Sequence, residues 1–330
     1  MIFAVAITGP TASGKTALSL SLAKALDGEI ISCDSMQIYK GMDIGTAKAT
    51  SAEREEVAHH LIDIVSPLDN FSVESYREMA TKCCYDLDGR GKTPVFVGGT
   101  GLYIDSLTRG SAMSVPESDA EYRDRILDGL KTDEDIDALW QRLCEVDAES
   151  AEKIHKNNVK RVIRALEIYD KTGRKKSDLD RESQDFIPEV FVGMITLDFL
   201  DRELLYRRID TRVDMMVDMG LVTEVESLYR SGLLSGKTAS AAIGYKEIVE
   251  FLEDKCTLPE AIEKIKLSSR RYAKRQLTWF RHKEGIKVIF ADNPDGTMKD
   301  SETILDETMA IVGELRYEYE IKKGEIKNEG

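Results

Sequence analysis

Short apolar runs and helically spaced apolar residues alternate along the first hundred positions of the chain. Residues 2–8 form an apolar run that ends at a glycine-rich loop, and Leu18, Leu22 and Ala25 then follow at helical spacing. Three more short apolar runs predict parallel strands, at 29–33, 61–65 and 94–97. This alternation predicts an α/β fold, in which helices flank a parallel sheet.

The strand signal disappears between residues 118 and 173. Apolar residues recur there at helical intervals, and an apolar run at 190–197 predicts a return to the sheet. We therefore predict a discontinuous catalytic core over residues 1–117 and 190–315, interrupted by an α-helical insertion domain over residues 118–189.

The last third of the chain is predicted to be mainly helical. A helix follows Asp201, and a longer one begins near Thr257, where Glu260 completes a capping box, and extends toward Arg281. Residues 287–290 predict the last strand. The charged residues 316–330 predict a frayed C-terminal tail.

Length and composition fit a two-domain protein with an ordinary core, since the chain has 330 residues, of which 42% are hydrophobic. No apolar run approaches the roughly 18 residues that span a bilayer, and the N-terminus leads directly into a strand. We expect a cytoplasmic protein without a membrane partner. The net charge of −14 taken alone argues against nucleic acid.

One segment reverses this charge balance. Residues 264–283 contain eight Lys and Arg residues and no Asp or Glu. Lys266, Arg270 and Lys274 fall on one i, i+4 ridge of a helix, and Arg271 and Arg275 on the next, which predicts a single cationic band. Such a band favours nucleic-acid contact over a merely solvated face.

The loop Gly9–Thr16 matches the pattern G-x-x-x-x-G-K-[ST] between a predicted strand and a predicted helix. In such a loop, glycines let backbone N–H groups converge on phosphate oxygens and the helix N-terminus favours anions. Lys15 adds a point charge, and Thr16 can offer its hydroxyl to Mg²⁺. The pattern predicts phosphate binding and leaves the identity of the phosphate open.

Two polar segments follow neighbouring predicted strands. Asp34 comes at the end of the second strand, and Gly98–Gly101 follows the run at 94–97, so the Asp34 carboxylate and the Thr100 hydroxyl should face the crevice beside the phosphate loop. An ionised Asp can accept a proton from a nucleophile or help to hold a metal. The alternatives are a helix-capping Asp and a simple turn.

Arginine and histidine residues complete the set of candidates. Arg207, Arg208 and Arg212 lie on the helix after the returning strand and could clamp a pyrophosphate, or serve only as surface charge. The four histidines form no metal-ligand pattern, so we expect no protein-bound zinc. We expect a monomer.

Together, these segments resemble the tRNA dimethylallyltransferases, also called tRNA isopentenyltransferases. The resemblance rests on seven blocks in order along most of the chain: GPTASGKT at 9–16, DSMQIYKGMDIGTAK at 34–48, HHLIDI at 59–64, GGTGLY at 98–103, RALEIY at 164–169, IGYKE at 243–247 and KRQLTWFR at 274–281. It implies a P-loop NTPase-like core. The C-terminal zinc finger of eukaryotic relatives is absent from this sequence.

The resemblance implies transfer of the dimethylallyl group from dimethylallyl diphosphate to N6 of adenine 37, next to the tRNA anticodon, with Mg²⁺ assisting. Asp34 would deprotonate N6, Thr100 would lie near the reacting centre and Arg212 near the diphosphate. The diphosphate would contact Gly9, Thr11, Ala12, Ser13, Gly14, Lys15 and Thr16. The anticodon stem-loop would contact Asp34, Ser35, Met36, Gln37, Thr100, Arg123, Asn158, Val159, Lys160, Arg161, Val162, Lys274, Arg275, Gln276 and Arg281.

Three other functions fit parts of the sequence. A small-molecule kinase would use ATP at the same loop, but it leaves the basic segment at 264–283 unexplained. A prenyltransferase acting on free adenine nucleotides would share the first half of the resemblance, whereas the insertion with its basic helices favours tRNA. A non-enzymatic RNA-binding protein would not need Asp34 and Thr100 together.

Overall fold

A computed structural model of the chain describes residues 1–108, 119–182, 188–236 and 238–329, together with the side chains of most of them. The chain divides into two compact units. One comprises Met1–Thr108 with Glu189–Gly330, and the other comprises Arg109–Pro188. Residue 118, where we predict the insertion to begin, lies outside the described residues.

The first unit is built on a parallel sheet. Within the described residues, six strands pair side by side in the order β3-β2-β4-β1-β5-β6, and every pair is parallel. The strands are β1 (Ile2–Thr8), β2 (Gly28–Ser32), β3 (His59–His60), β4 (Thr93–Val97), β5 (Val190–Asp198) and β6 (Lys287–Phe290). β5 is the strand that returns to the sheet after the insertion, beside β1. The predicted α/β fold is confirmed.

Helices cover both faces of this sheet. β1 is buried along its whole length, with Phe3, Val5 and Ile7 packed into one apolar cluster and Ala4 and Ala6 into another. A strand buried on both faces reads as a continuous apolar run, which is why the sequence identifies β1 and β5 readily. The helices of this unit are α1 (Lys15–Ala25), α2 (Ser51–Glu56), α3 (Val73–Gly89), α4 (Gly101–Thr108), α10 (Arg202–Asp218), α11 (Leu221–Arg230), α12 (Tyr245–Leu252), α13 (Leu258–Arg281) and α14 (Ser301–Glu329).

The second unit is helical over its described residues. Its helices are α5 (Ala120–Gly129), α6 (Asp133–Val146), α7 (Ala148–Lys153), α8 (Val159–Thr172) and α9 (Lys176–Glu182). Leu143 of α6 and Leu166 of α8 are fully buried in a separate apolar cluster, so this unit has its own core. Its buried Glu167 accepts hydrogen bonds from Arg123 at 3.0 Å and Arg164 at 2.8 Å.

The strand predicted at 61–65 is wrong. β3 consists of His59 and His60 only, because Leu61 and Asp63 have φ values of 59° and 56°, in the left-handed region that no strand adopts. The backbone N–H of Ile64 donates instead to the carbonyl of Ile38. The apolar residues of this segment therefore pack in a loop at the edge of the sheet.

The frayed tail predicted at 316–330 is also wrong, because α14 continues to Glu329. Tyr319 is only 6% exposed, its ring lies 5.4 Å from that of Phe3 and 5.8 Å from that of Phe191, and its hydroxyl donates to the carbonyl of Met1 at 2.9 Å. The segment is highly charged overall, so its few buried residues, such as Tyr319, are not evident from composition.

The predicted start of α13 is confirmed. Thr257 Oγ1 accepts from the backbone N–H of Glu260, and the Glu260 carboxylate accepts from that of Thr257 at 2.8 Å. Among the described residues, no helix combines the length and apolar character needed to cross a membrane.

Candidate active site

The glycine-rich loop between β1 and α1 has the backbone of an anion cradle. Gly9, Ala12 and Gly14 all have positive φ, and α1 begins at Lys15, so several N–H groups turn toward the N-terminus of the helix. Residues 11–16 line a cleft of about 930 Å³. Gly9 lies behind them, where a Cβ atom would come within 2.7 Å of the carbonyl oxygen of Leu197.

Lys15 and Ser13 are the polar side chains of this loop that could bind an anion. Burial, together with the nearby charge of Arg212, lowers the pKa of Lys15 to about 8, although Asp34 opposes this shift. Lys15 Nζ donates to the carbonyl of Pro10 at 3.0 Å. Ser13 is 2% exposed, and its hydroxyl has no hydrogen-bond partner among the described residues. A buried donor of this kind suits a phosphate oxygen.

The turns that follow β2 and β4 are joined by Thr100 and Ser35, next to Asp34. Thr100 Oγ1 accepts from the backbone N–H of Ser35 at 3.0 Å, and Asp34 Oδ1 accepts from that of Met36 at 2.9 Å. Asp34 therefore caps a turn with one oxygen, and it does not cap a helix, because residues 35–38 form a turn. Its other oxygen, Oδ2, has no hydrogen-bond partner within the described chain. Asp34 lines the same cleft as Lys15.

Three arginines of α10 line the cleft: Arg207, Arg208 and Arg212. Arg208 Nε donates to the carbonyl of Ala12 at 3.0 Å, which ties α10 to the phosphate loop. Burial lowers the pKa of Arg212, while the charge of Asp34 opposes the shift. Arg208 and Arg212 are therefore built into the wall of the cleft and are not ordinary surface charges.

The sequence gives no role to Tyr272, which also lines the cleft. Burial raises the pKa of its hydroxyl, and the charge of Asp34 adds to this shift. Tyr272 lies one helical turn before Gln276 on α13, on the same inner face of the helix. Apolar side chains complete the cleft, among them Val213, Met216, Ala242, Ile243 and Ile265.

The predicted cationic band on α13 is only partly present. Ion pairs within the first unit neutralise many of its charges: Lys264 with Glu250, Lys266 with Asp214, Arg270 with Asp210, Arg281 with Asp198 and Lys283 with Asp105. Arg271 and Lys274 are exposed and have no ion-pair partner in the described part of the chain. Arg275 is exposed and lies over the Tyr272 ring.

Two residues predicted to contact tRNA are buried instead. Gln276 is 5% exposed, and Val162 is 1% exposed within the apolar core of the second unit. The start of α8 is otherwise open, with Asn158, Lys160 and Arg161 exposed and Val159 partly exposed. Of the segment after β2, Ser35, Met36 and Gln37 line the cleft, and the Gln37 amide donates to the carbonyl of Thr46 at 3.2 Å.

The fold and this cleft define an α/β enzyme with a P-loop, in which a phosphate cradle faces a carboxylate and a wall of arginines. Comparison with known proteins specifies the class further. The chain belongs to the IPP transferase family: the model described as "IPP transferase" matches residues 37–283, and a second, "Isopentenyl transferase", matches residues 2–70. The resemblance identified from the sequence blocks is confirmed.

Individual relatives agree with the family model. The chain is 49% identical to a tRNA dimethylallyltransferase of Bacillus cereus, over 88% of this chain and 90% of the relative. A solved tRNA isopentenylpyrophosphate transferase of Bacillus halodurans is 40% identical, with a TM-score of 0.71 over 98% of this chain and 100% of that one. A eukaryotic dimethylallyltransferase, solved acting on tRNA, is 31% identical, with a TM-score of 0.75 over 89% and 75% of the two chains.

Proposed function

We propose that this protein transfers the dimethylallyl group of dimethylallyl diphosphate to N6 of adenine 37 in tRNA, giving N6-dimethylallyladenosine and diphosphate. The observation that carries the proposal is the placement of the Asp34 carboxylate in the same cleft as the phosphate loop, where its charge acts on both Lys15 and Arg212. The general base, Asp34, and the diphosphate site would then lie on either side of the reacting allylic carbon.

Departure of the diphosphate is the step that most needs help, because the adenine amino group is a weak nucleophile. As the allylic C–O bond breaks, negative charge grows on the diphosphate, and Lys15, Arg212 and the loop N–H groups are fixed in place to bind it. Removal of one preorganised donor of this kind commonly lowers a rate by about 10²–10³-fold. Ser13 supplies a further hydroxyl donor from the floor of the loop.

Asp34 acts on the other partner in the reaction. As the bond from N6 to the allylic carbon forms, the N6 proton passes to Asp34 Oδ2, the oxygen that the Met36 N–H does not occupy. General-base help of this kind contributes about 10²–10⁴-fold. Thr100 accepts from the Ser35 N–H and so fixes the turn that carries Asp34.

The loop also fits a magnesium ion. Thr16 is partly exposed on the first turn of α1 and lines the cleft, so its hydroxyl oxygen can join the diphosphate oxygens as a hard ligand. When bound there, Mg²⁺ would neutralise charge on the leaving diphosphate. The described residues contain no cluster of three or more acidic, His or Cys side chains that could hold a metal by themselves.

We assign the tRNA-binding surface from the charge and exposure of its residues. Arg271, Lys274 and Arg275 form an exposed cationic face on α13 of the first unit, and Lys160 and Arg161 form another at the start of α8 of the second unit. Exposed cations of this kind bind phosphates of the anticodon stem-loop and make affinity salt-dependent. Because adenine 37 is stacked in its loop, we expect it to be extruded into the cleft.

The decisive experiment follows two labels. Unmodified tRNA is incubated with the protein and either dimethylallyl diphosphate labelled in the allyl group or γ-labelled ATP. Label from the allylic donor alone should enter the tRNA, and a transcript with guanine in place of adenine 37 should stay unlabelled. Transfer from ATP would indicate a kinase, and transfer to free AMP but not to tRNA would indicate a nucleotide prenyltransferase.

A further inference from the structure

Gln276 of α13 joins the two backbone segments that form the reaction centre. Its Oε1 accepts from the backbone N–H of Thr11 in the phosphate loop at 3.0 Å, and its Nε2 donates to the carbonyl of Gly99 at 3.1 Å. A backbone N–H can only donate and a carbonyl can only accept, so the orientation of the amide is unique. One side chain thus connects the segments after β1 and β4.

The Gly98–Gly101 turn after β4 has no side chains at the two positions where α13 packs against it. A Cβ atom on Gly99 would lie 1.9 Å from Gln276 Nε2, and one on Gly101 would lie 2.2 Å from Trp279 Nε1. The glycines of the Gly98–Gly101 turn therefore let α13 approach the backbone closely. Gln276 and Trp279, one turn apart, form the inner face of the helix at this point.

The face of α13 away from Gln276 carries exposed cations. Arg271 and Lys274 are exposed, whereas Gln276 is 5% exposed, and Tyr272, one turn earlier, lines the cleft. Any displacement of α13 caused by a polyanion on its outer face would reach Thr11 and Gly99 through the Gln276 amide. α13 is thus both a binding surface and a wall of the donor site.

We propose that Gln276 is a positioning residue that holds the diphosphate loop and the Gly98–Gly101 turn in register with α13. This inference rests on the proposed function only in taking the exposed cations of α13 to bind tRNA. The link to the phosphate loop stands on the two hydrogen bonds alone. It implies that Gln276 governs affinity for the diphosphate even when no tRNA is bound.

The test measures the two ligands separately with the full-length protein. Gln276→Met keeps the length of the side chain and removes both hydrogen bonds. We expect the Kd for inorganic pyrophosphate to rise at least about tenfold, while the Kd for an anticodon stem-loop stays within about twofold. Lys274→Gln, the matched control on the outer face, should weaken only stem-loop binding.

Gln276→Glu provides a second variant that keeps the polarity and size of the side chain. One carboxylate oxygen can still accept from Thr11, but the other is set against the Gly99 carbonyl, and protonation of the carboxyl restores a donor there. The loss of pyrophosphate affinity relative to wild type should therefore shrink as the pH falls from about 8 to about 5.5. A purely structural defect would not recover in this way.

Weakened pyrophosphate binding with retained stem-loop binding supports the inference. Weakened stem-loop binding with normal pyrophosphate binding would overturn it, as would Gln276→Met and Gln276→Glu variants that bind both ligands like wild type. If Gln276→Met does not fold, the pH response of Gln276→Glu decides the question. A wild-type protein whose pyrophosphate affinity depends on Gln276, but which never prenylates tRNA, would contradict the proposed function and still support this inference.

Discussion

Lys15 and Arg212 are like-charged neighbours in one cleft, and the charge of Arg212 adds to burial in holding the pKa of Lys15 at about 8. Burial likewise lowers the pKa of Arg212. Two cations kept close together without full hydration form a site that an anion stabilises strongly, because one diphosphate offsets both charges. The strain of this arrangement makes the site sensitive to pH.

Affinity for dimethylallyl diphosphate, measured without tRNA, should fall about tenfold between about pH 7 and pH 9, because Lys15 loses its proton near pH 8 and the diphosphate is already ionised. The lowered pKa also means that the unfolded chain binds more protons between pH 8 and 10.5, so the penalty for burying Lys15 is greatest below pH 8 and fades above it. Titration calorimetry at several pH values measures the affinity.

Lys15→Arg serves as the control for this pH dependence. A guanidinium stays protonated throughout the range, so this variant should show a flat profile even if its affinity at neutral pH is lower. A wild-type affinity that is unchanged up to pH 9 would show that Lys15 does not titrate there.

Glu224 should stabilise the loop that follows Asp34. Its carboxylate accepts from three successive backbone N–H groups, of Asp43, Ile44 and Gly45, at 2.8 to 3.2 Å. Glu224→Ala leaves these donors without a partner, so the free energy of unfolding should fall by about 2 kcal/mol. Urea denaturation measures this loss. Glu226→Ala on the same helix removes only a pair with Arg230 and should cost under about 0.5 kcal/mol; equal losses would argue against a special role for Glu224.

The sequence predicts the central part of the sheet well and its margin poorly, for a physical reason. β1 and β5 are buried on both faces, so their apolar runs are continuous. The segment after β3 is equally apolar, but it packs as a loop, because the left-handed residues Leu61 and Asp63 stop the strand. Hydrophobicity reports burial, and burial alone does not distinguish a strand from a packed loop.

The site shows a similar division. The phosphate loop and Asp34 follow from local pattern, since chain order fixes their places at the ends of strands. The ion pairs of the α13 cations cannot be predicted from local pattern, because their partners Asp210, Asp214 and Asp198 come from distant segments. For the same reason Gln276 resembles a surface residue in the sequence, although it is buried against Thr11.

Gly98 should tolerate no side chain. A Cβ atom there would lie 2.0 Å from the carbonyl oxygen of Cys33, which is backbone and cannot move without separating β2 from β4. We expect Gly98→Ala to lower the free energy of unfolding by about 3 kcal/mol or more and to abolish transfer. Gly89→Ala, at the end of α3 where nothing lies within 4 Å, should be neutral or slightly stabilising. Thermal unfolding of both variants makes the comparison, and similar midpoints would disprove the predicted clash.

Arg271 and Arg270 are adjacent on α13, yet they should respond oppositely to loss of charge. Arg271 is exposed and has no ion-pair partner in the described chain, whereas Arg270 pairs with Asp210 at 2.5 Å. Arg271→Gln should reduce the slope of log Kd for tRNA against log salt by about one unit. Arg270→Gln should leave this slope nearly unchanged. Filter binding at several salt concentrations measures both slopes, and a larger effect at Arg270 would contradict the assignment of the free cationic face.

Asp34 has two roles in the structure, and one substitution separates them. Asp34→Asn keeps an oxygen that accepts from the Met36 N–H, so the turn and the melting temperature should be preserved, but the amide cannot take the N6 proton. Under single turnover with saturating tRNA and donor, the rate should fall by about 10²–10⁴-fold. Asp34→Ala removes both functions and should also lower stability by about 1 kcal/mol.

Binding measurements distinguish a lost base from a displaced substrate. If Asp34 is the base, Asp34→Asn loses its transfer rate while keeping its affinity for donor and stem-loop. If Asp34 only caps its turn, Asp34→Asn should transfer at the wild-type rate and Asp34→Ala should be slow through loss of order. A fast Asp34→Asn variant would therefore assign proton removal to water or to another group, and would leave leaving-group stabilisation by Lys15 and Arg212 as the main source of catalysis.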